Sequence, residues 1–517
     1  MPATMDNILE QIQALHYEIS TESRLVRVGL KDEQNLESII AKFPLLTNRE
    51  TVSDLKQAIL AAKTPNEKER LTRVYLYCLG HYIHKNLAAM DDEVTTFFSK
   101  SVYRWNGEAI PYYELYPRLM KEENFERREQ LGQGFVEIHE KANLLLHDIL
   151  KKDIEILKTE FGYGGYIDYC RDKKKLDYAK LAEMLAESLK RTQPVYEKAM
   201  GAFVSEHLGQ PRQAAGGGSV KQALAIGPGK PFGKLWRVHI PYLLQMKSFD
   251  RFFPKENLFA RLNASLQKMG IDFKNYPNIH LDLEERPKKN PRACCFTSKV
   301  PEEIYLILKP TGGLKDYETF LHEGGHALHY GNTDKNLSYE YRELSRSYAL
   351  SETYAFLLQN ITMNTAWLET EGVPSEVSQK IRRERVLIDL FMYRRYIGKF
   401  LAEFEFFSQG NLKDSSVYSR TLEKTTGFVY EPSAYLNDMD GEFYSMDYLR
   451  AWIAEAQLEN YMQKTFGASW FGHAKAGQFL IDLWKRGESE EPESMLSRFA
   501  YKPFDVSYLE KRFEELR

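Results

Sequence analysis

The segment His322-Glu323-Gly324-Gly325-His326 constrains this chain more than any other stretch of its sequence. It reads H-E-x-x-H, and residues four apart share one face of a helix, so both imidazoles can point at a single ion. Glu323 is offset by one residue and lies beside that ion rather than on it. The pattern therefore predicts a helix that carries two zinc ligands and a general base acting on metal-bound water.

A third ligand is needed, because a catalytic zinc usually takes three ligands from the protein. Glu352 falls in the middle of a predicted helix, Tyr339–Leu368, which could pack against the first helix and present this carboxylate. Glu340 and Glu343 compete for the role, but they stand at the helix start, where a carboxylate already suits the helix dipole. We favour Glu352, a choice that rests partly on the resemblance described below, and we expect one zinc ion per chain.

His329 lies one further turn along the same face as His322 and His326. It is predicted to support the ligands or to pack in the core rather than to bind the ion. Gly324 and Gly325 stand inside the predicted helix, where each costs about 1 kcal/mol relative to alanine. Glycines at such a cost predict the close approach of another backbone.

The N-terminal part of the chain has helical spacing of apolar residues throughout. Long helices are predicted over Thr64–Asn86 and Leu176–Leu208, and one or two over Glu122–Phe161. The pattern returns in Glu376–Phe407 and Ser445–Phe466. Residues 210–234 are rich in Gly and Pro, which predicts a loop. We interpret it as a connection between an N-terminal helical lobe, residues 1–205, and a zinc-binding catalytic lobe, residues 206–517. A mobile glycine loop over the active cleft is the alternative.

Strand patterns are few and lie just before the H-E-x-x-H segment. Ile279, Leu281 and Leu283 alternate with polar residues, and Glu303–Lys309 is short, apolar and ended by a Pro-Thr-Gly-Gly turn. The predicted fold class is therefore mainly α, with a small β-sheet next to the zinc helix.

Charge and composition disfavour two classes of partner. The net charge is −3 and no long basic run is present, so neither nucleic acid nor an anionic membrane is an expected partner. The sequence shows no signal peptide and no apolar run long enough to span a bilayer. Its four cysteines form no C-x-x-C pair and are expected to be reduced, which fits a cytoplasmic location.

Three blocks of the sequence resemble the thimet oligopeptidase and oligoendopeptidase F family of zinc peptidases. Phe320–His329 is similar to the family's zinc helix, and Leu350–Ala355 to the helix that carries its glutamate ligand. Gly441–Tyr448, followed by Ala454-Glu455, resembles its glycine- and tyrosine-rich loop. A further tyrosine of thimet-like members falls on Ala451, and their preceding histidine has no counterpart here.

The resemblance implies a two-lobed helical bowl with zinc at the bottom of a deep substrate channel. It implies an endopeptidase that cleaves internal bonds of short unfolded oligopeptides, with Glu323 moving the proton from water to the leaving amine. Tyr444 or Tyr448 would stabilise the oxyanion. An edge strand near Cys295–Lys309 would hold the peptide by β-addition.

Other functions remain open at this point. A dipeptidyl carboxypeptidase or a metallocarboxypeptidase would use the same His-His-Glu site, with a cation to hold the C-terminal carboxylate of the substrate. The candidates for that cation are Arg382, Arg383, Arg385, Arg394 and Arg395. A non-catalytic peptide-binding protein is a further alternative, although a pure binder has no need for the general base.

Overall fold

The computed structural model describes residues 4–208 and 235–517, and the predicted Gly- and Pro-rich connection at 210–234 lies outside them. Helices make up 71% of the structure and only two small sheets are present in the described residues, which confirms the mainly α class. No helix in the described part of the chain is long and apolar enough to cross a membrane.

The α-helices of the first half alternate between short and very long elements. They are α1 (Met5–Arg27), α2 (Leu36–Ile40), α3 (Arg49–Ala61), α4 (Pro65–Lys100), α5 (Tyr112–Lys121), α6 (Phe125–Thr159), α7 (Tyr166–Lys174), α8 (Tyr178–Leu208), α9 (Ile240–Leu243) and α10 (Leu258–Lys268). The long helical segments predicted in this half correspond to α4, α6 and α8, so Glu122–Phe161 holds one helix rather than two.

The second half is built from further helices around the H-E-x-x-H segment. They are α11 (Leu314–Gly331), α12 (Tyr339–Arg342), α13 (Ala349–Gln359), α14 (Thr365–Thr370), α15 (Ser375–Gln409), α16 (Ser416–Thr426), α17 (Tyr435–Asp438), α18 (Tyr444–Phe466), α19 (Ala474–Trp484), α20 (Pro492–Ser497) and α21 (Ser507–Phe513). The predicted helices Glu376–Phe407 and Ser445–Phe466 match α15 and α18.

The predicted helix Tyr339–Leu368 is wrong as a single element, because it is divided into α12, α13 and α14. Arg73 of α4 donates to the carbonyls of Glu340, at 3.2 Å, and Leu344, at 2.9 Å. A second break follows α13, where the Asn364 side chain accepts from the amide of Ala366 and caps α14. The division places Glu352 in the first turn of α13 rather than in the middle of a helix.

A three-stranded sheet precedes α11, as predicted. Its strands are β3 (Ile279–Asp282), β4 (Cys294–Lys299) and β5 (Glu303–Ile307), in the order β3-β5-β4. β3 runs parallel to β5, with Leu281 opposite Leu306, whereas β4 is antiparallel to it. β4 therefore lies at an edge of the sheet, and α1 and α11 both contact it.

A β-hairpin near the N-terminus was absent from the sequence prediction. Its strands, β1 (Val102–Trp105) and β2 (Glu108–Pro111), pair antiparallel around Asn106-Gly107. Both turn residues have positive φ angles, 50° and 83°. An Asn-Gly pair between two short strands is the strongest local signal for such a turn, so this hairpin was predictable.

The chain forms two compact units, each assembled from separated segments. Unit 1 comprises Met1–Asn86, Lys247–Arg382 and Arg450–Tyr508, and unit 2 comprises Leu87–Met246, Arg383–Leu449 and Leu509–Arg517. Because the units alternate along the chain, they do not coincide with the lobes 1–205 and 206–517, and that division stays a prediction. The sheet, α11 and α13 all belong to unit 1.

Candidate metal centre

The start of α11 is determined by the residues around Gly313. Gly313 has a φ of 103°, which favours glycine, and the Leu314 amide donates to Asp250 Oδ1 at 3.3 Å. Asp316 in the first turn accepts from the amides of Thr311 and Gly312, at 2.5 and 2.6 Å. These contacts hold the first turn of α11 in place.

His322 and His326 emerge one turn apart from the partly buried side of α11. Their ring centroids are 5.0 Å apart and the ring planes are nearly perpendicular, at 86°. Phe356 of α13 packs edge-on against the His322 ring, with 5.0 Å between centroids. The helix therefore presents both imidazoles toward α13.

Gly325 allows α13 to approach α11 closely. A Cβ atom built on Gly325 would lie 2.6 Å from Ala355 Cα and 2.9 Å from the carbonyl oxygen of Tyr354. The predicted close approach of another backbone is therefore confirmed at this position. At Gly324 a Cβ atom would meet the Phe273 ring at 3.4 Å and the Leu306 side chain at 3.8 Å, both ordinary contacts. The steric constraint on the α11–α13 approach therefore lies on Gly325.

The close approach brings a carboxylate to the two imidazoles. One potential ligand atom from each of His322, His326 and Glu352 lies within 4.8 Å of the others. Glu352 Oε2 is 3.4 Å from His322 Nε2 and 3.9 Å from His326 Nε2. Ligands at ordinary zinc distances in a tetrahedral site are about 3.3–3.5 Å from one another. The donor set therefore fits a zinc ion, with the Glu352–His322 separation in this range and the Glu352–His326 separation about 0.4 Å wider.

Burial keeps both imidazoles in the form that binds metal. Burial lowers the pKa of His326 to about 4, and burial together with the neighbouring His326 ring lowers the pKa of His322 well below its usual value. Neutral imidazole is the ligand form. His326 Nδ1 lies 2.7 Å from Ser351 Oγ, which leaves Nε2 directed at Glu352. Sequence reasoning missed Ser351, although it directly precedes Glu352.

Glu323 occupies a different environment, beside the edge strand β4. The backbone N–H of Cys295 donates to its carboxylate. Burial raises the pKa of Glu323 to about 7, with Arg292, Arg27 and the Cys295 amide opposing that rise. A carboxylate with this affinity for protons can exchange one with a substrate near neutral pH.

The competing residues are engaged elsewhere. Glu340 accepts from Arg70 Nε at 2.9 Å, and Glu343 accepts from the amide of Val300 at 2.8 Å. His329 is fully buried, with Nε2 3.4 Å from the Gly487 carbonyl oxygen. None of these three residues joins the His-His-Glu cluster of the described chain.

Tyr444 and Tyr448 lie at the start of α18, within unit 2. Their rings are in edge-to-face contact, 5.1 Å between centroids, and Tyr448 also packs against Tyr396. Both side chains are partly exposed. Their contribution to the reaction stays a prediction.

A comparison with protein-family sequence models agrees with this geometry. Residues 271–515 match the sequence model of Peptidase family M3, a stretch just under half of the 517-residue chain that includes all three clustered residues. A comparison with curated proteins gives no match. The mainly helical structure with two small sheets is consistent with the M3 fold, and that family is zinc-dependent. The match and the His-His-Glu cluster together support the M3 metallopeptidase family for this chain, and with it a zinc metallopeptidase acting on peptides.

Proposed function

We propose that this protein is a zinc-dependent endopeptidase of the thimet oligopeptidase and oligoendopeptidase F type, acting on short unfolded peptides in the cytoplasm. The observation that carries the proposal is the convergence of His322, His326 and Glu352, with Glu323 adjacent to it on α11. A site that only stored or stabilised a metal would need the three ligands but not a further, partly buried carboxylate beside them.

His322 and His326 would hold the zinc ion through Nε2, and Glu352 through a carboxylate oxygen. Zinc, when bound there, lowers the pKa of a water molecule and polarises the scissile carbonyl. Glu323 accepts the proton of the attacking water and returns it to the amine that leaves. Burial of this carboxylate suits both steps, since it holds a proton more readily than an exposed glutamate would.

Tyr444 or Tyr448 supplies the second part of the proposed chemistry. A phenolic hydroxyl donates a hydrogen bond to the oxygen that becomes negative as the carbonyl is attacked. Such a donor stabilises the transition state more than the substrate and therefore raises kcat. Strand β4, at the edge of its sheet, offers backbone groups for pairing with an extended peptide.

The test compares four variants by bound zinc and by cleavage of a quenched fluorescent peptide. Glu323→Gln is expected to keep zinc and lose at least about 10²-fold in kcat. His322→Ala and Glu352→Gln lose both zinc and activity. Glu340→Gln, the competing carboxylate, serves as the matched control and retains both. Peptide cleavage at the native rate by a clean preparation of Glu323→Gln would contradict the proposal.

A carboxypeptidase specificity is the second candidate, and the five arginines predicted for it are all in structural contacts. Each donates to a neighbouring group: Arg382 to the Met363 carbonyl, Arg383 to Leu516, Arg385 to Asp389, Arg394 to Thr425 and Arg395 to Asp438. They give no support to a site for the substrate's C-terminus.

Two other arginines favour the carboxypeptidase candidate instead. Arg27 and Arg292 are the cations that act on the Glu323 carboxylate, and Arg27 Nε is buried without a hydrogen-bond partner in the described residues. A peptide with a free C-terminus and its amidated form distinguish the candidates. Internal cleavage of both forms, read by product masses, supports the endopeptidase. Trimming of the free form alone, lost in Arg27→Ala, supports the carboxypeptidase.

A further inference from the structure

The turn that leads into α18 has a strained backbone. Glu442 and Phe443 follow Gly441 and have φ angles of 57° and 52°, in the left-handed region. Neither residue is glycine, and consecutive residues with side chains rarely adopt this conformation. Such backbone persists only where surrounding contacts hold it, and it is concentrated at functional sites. Tyr444 is the next residue.

Helix α7 supplies the contacts that hold Glu442. The hydroxyl of Tyr166 accepts from the Glu442 amide at 2.6 Å. Tyr169 donates to Glu442 Oε1 at 2.7 Å, and Lys173 Nζ donates to Oε2. Burial alone would raise the pKa of Glu442, but Lys173 and Tyr169 bring it below its usual value. The carboxylate is therefore ionised and bonded at both oxygens.

Phe443 and the first turn of α18 are held in the same way. The Phe443 amide donates to Glu403 Oε1 at 3.0 Å, and its buried ring stacks on Tyr178 with 4.4 Å between centroids. Lys174 of α7 donates to Asp447 Oδ2 at 2.9 Å. Both members of the Lys174–Asp447 ion pair are almost fully buried, with 3% and 1% of their side chains exposed.

We propose that Tyr166, Tyr169, Lys173 and Lys174, the α7 clamp, are positioning residues that fix the tyrosine at the start of α18 for oxyanion stabilisation. The proposal rests on the function proposed above. Tyr444 directly follows the strained turn, and Tyr448 lies one turn further with its ring against that of Tyr444. A helix start that only had to be stable would take a relaxed capping residue such as Ser or Asp. Here four side chains hold an unfavourable backbone. They therefore determine the direction of the tyrosine that follows.

Tyr169→Phe tests the clamp, because it removes one hydroxyl and keeps the ring. It is expected to lower kcat roughly 10-fold with little change in KM, since a displaced reacting group is costly. Lys173→Met has a similar effect, and Lys173→Arg restores most of the rate. Tyr163→Phe is the matched control, because its hydroxyl donates to Asp172 at 3.2 Å and not to the turn. Zinc content and melting temperature are measured for every variant.

The decisive measurement repeats Tyr169→Phe in Tyr444→Phe and Tyr448→Phe backgrounds. Loss of the oxyanion donor itself lowers kcat about 10²-fold. If the clamp acts through one of these two tyrosines, Tyr169→Phe changes kcat less than about twofold in the variant that already lacks the hydroxyl of that tyrosine. If Tyr169→Phe lowers kcat by its full factor in both backgrounds, the clamp proposal fails but the proposed function stands. An unchanged kcat for Tyr169→Phe in the native protein has the same meaning. If neither tyrosine variant lowers kcat, the tyrosine step of the proposed function fails, and the clamp fails with it.

Discussion

The Ser351 hydroxyl contacts Nδ1 of His326, which would leave Nε2 of that ring for a metal ion. The hydroxyl lies 2.7 Å from His326 Nδ1 and is almost completely buried. An imidazole that is hydrogen-bonded through one nitrogen has its other nitrogen aimed in a defined direction, and partners of this kind tune metal affinity. The ring direction would otherwise depend on packing alone.

Ser351→Ala is therefore expected to weaken zinc binding by about 10- to 100-fold while leaving the fold intact. Competition with a chromophoric chelator measures the zinc dissociation constant. Ser378→Ala is the matched control, because it removes another buried serine hydroxyl of unit 1, bonded to the Val373 carbonyl at 3.4 Å. Equal zinc affinity in Ser351→Ala and the native protein would contradict this role.

The residues of the site differ in how far the sequence could reveal them. His322, Glu323 and His326 were predictable because a single helix fixes their relative positions. Glu352 followed partly from the family resemblance, and the sequence placed it in the wrong part of its helix. Ser351 and Arg27 were missed, because their contacts join separated segments and leave no spacing pattern.

At the level of elements, the packing of α11 against α13 depends on Gly325 having no side chain. A Cβ atom at Gly325 would clash with the backbone of α13 at 2.6 Å. The backbone cannot rotate away as a side chain can, so α13 must move. Movement of α13 carries Glu352 away from the two imidazoles.

Gly325→Ala is expected to destabilise unit 1 by about 1–3 kcal/mol and to lower zinc affinity at the same time. Gly80→Ala is the control, since Gly80 also lies within a helix but a Cβ atom there meets nothing within 4 Å. That variant should be neutral or more stable by up to about 1 kcal/mol. Urea unfolding with and without zinc gives both quantities, and a Gly325→Ala protein with native zinc affinity would refute the argument.

The elements also show where prediction from sequence ends. Long amphipathic helices such as α4, α6 and α8 were predictable, because their apolar spacing is a local property. The division of Tyr339–Leu368 was not, since the carbonyls at its break are bound by Arg73 of α4, far away in sequence. The β1–β2 hairpin was missed for a different reason, because its Asn-Gly turn is a local signal that the sequence does contain.

At the scale of the whole molecule, we expect a different charged site to stabilise each unit. In unit 2, Asp438 is only 16% exposed and accepts hydrogen bonds from Arg395 and Tyr418. Burial alone would raise its pKa, but Arg395, Lys399 and Arg237 more than offset this and lower it. A pKa lowered in the folded state stabilises the protein above the unfolded value of about 3.9, and this stabilisation is lost as the pH falls below it.

Asp438→Asn should therefore destabilise unit 2 by about 3 kcal/mol at pH 7, because it leaves buried cations unpaired. The difference from the native sequence should shrink as the pH falls toward about 3, because Asp438 takes up a proton in the unfolded chain there while it stays ionised in the folded one. Urea unfolding across this pH range checks the trend, with exposed Asp148→Asn as the control. A difference that does not change with pH would exclude the ionised carboxylate as its source.

In unit 1 we expect the corresponding contribution from a zinc ion bound at the His-His-Glu cluster. A ligand that binds only the folded state stabilises it by about 4 kcal/mol at a thousandfold excess over its dissociation constant. Chelation should therefore increase hydrogen exchange in peptides from α11 and α13, which hold the His-His-Glu cluster. Peptides from α6 in unit 2 should be unchanged. His322→Ala, already without zinc, should exchange rapidly in α11 and α13 and show no response to the chelator. Loss of a ligand confined to unit 1 acts only on the opening of that unit. Faster exchange in α6 of the native protein after chelation would therefore contradict this expectation and show that the metal stabilises both units.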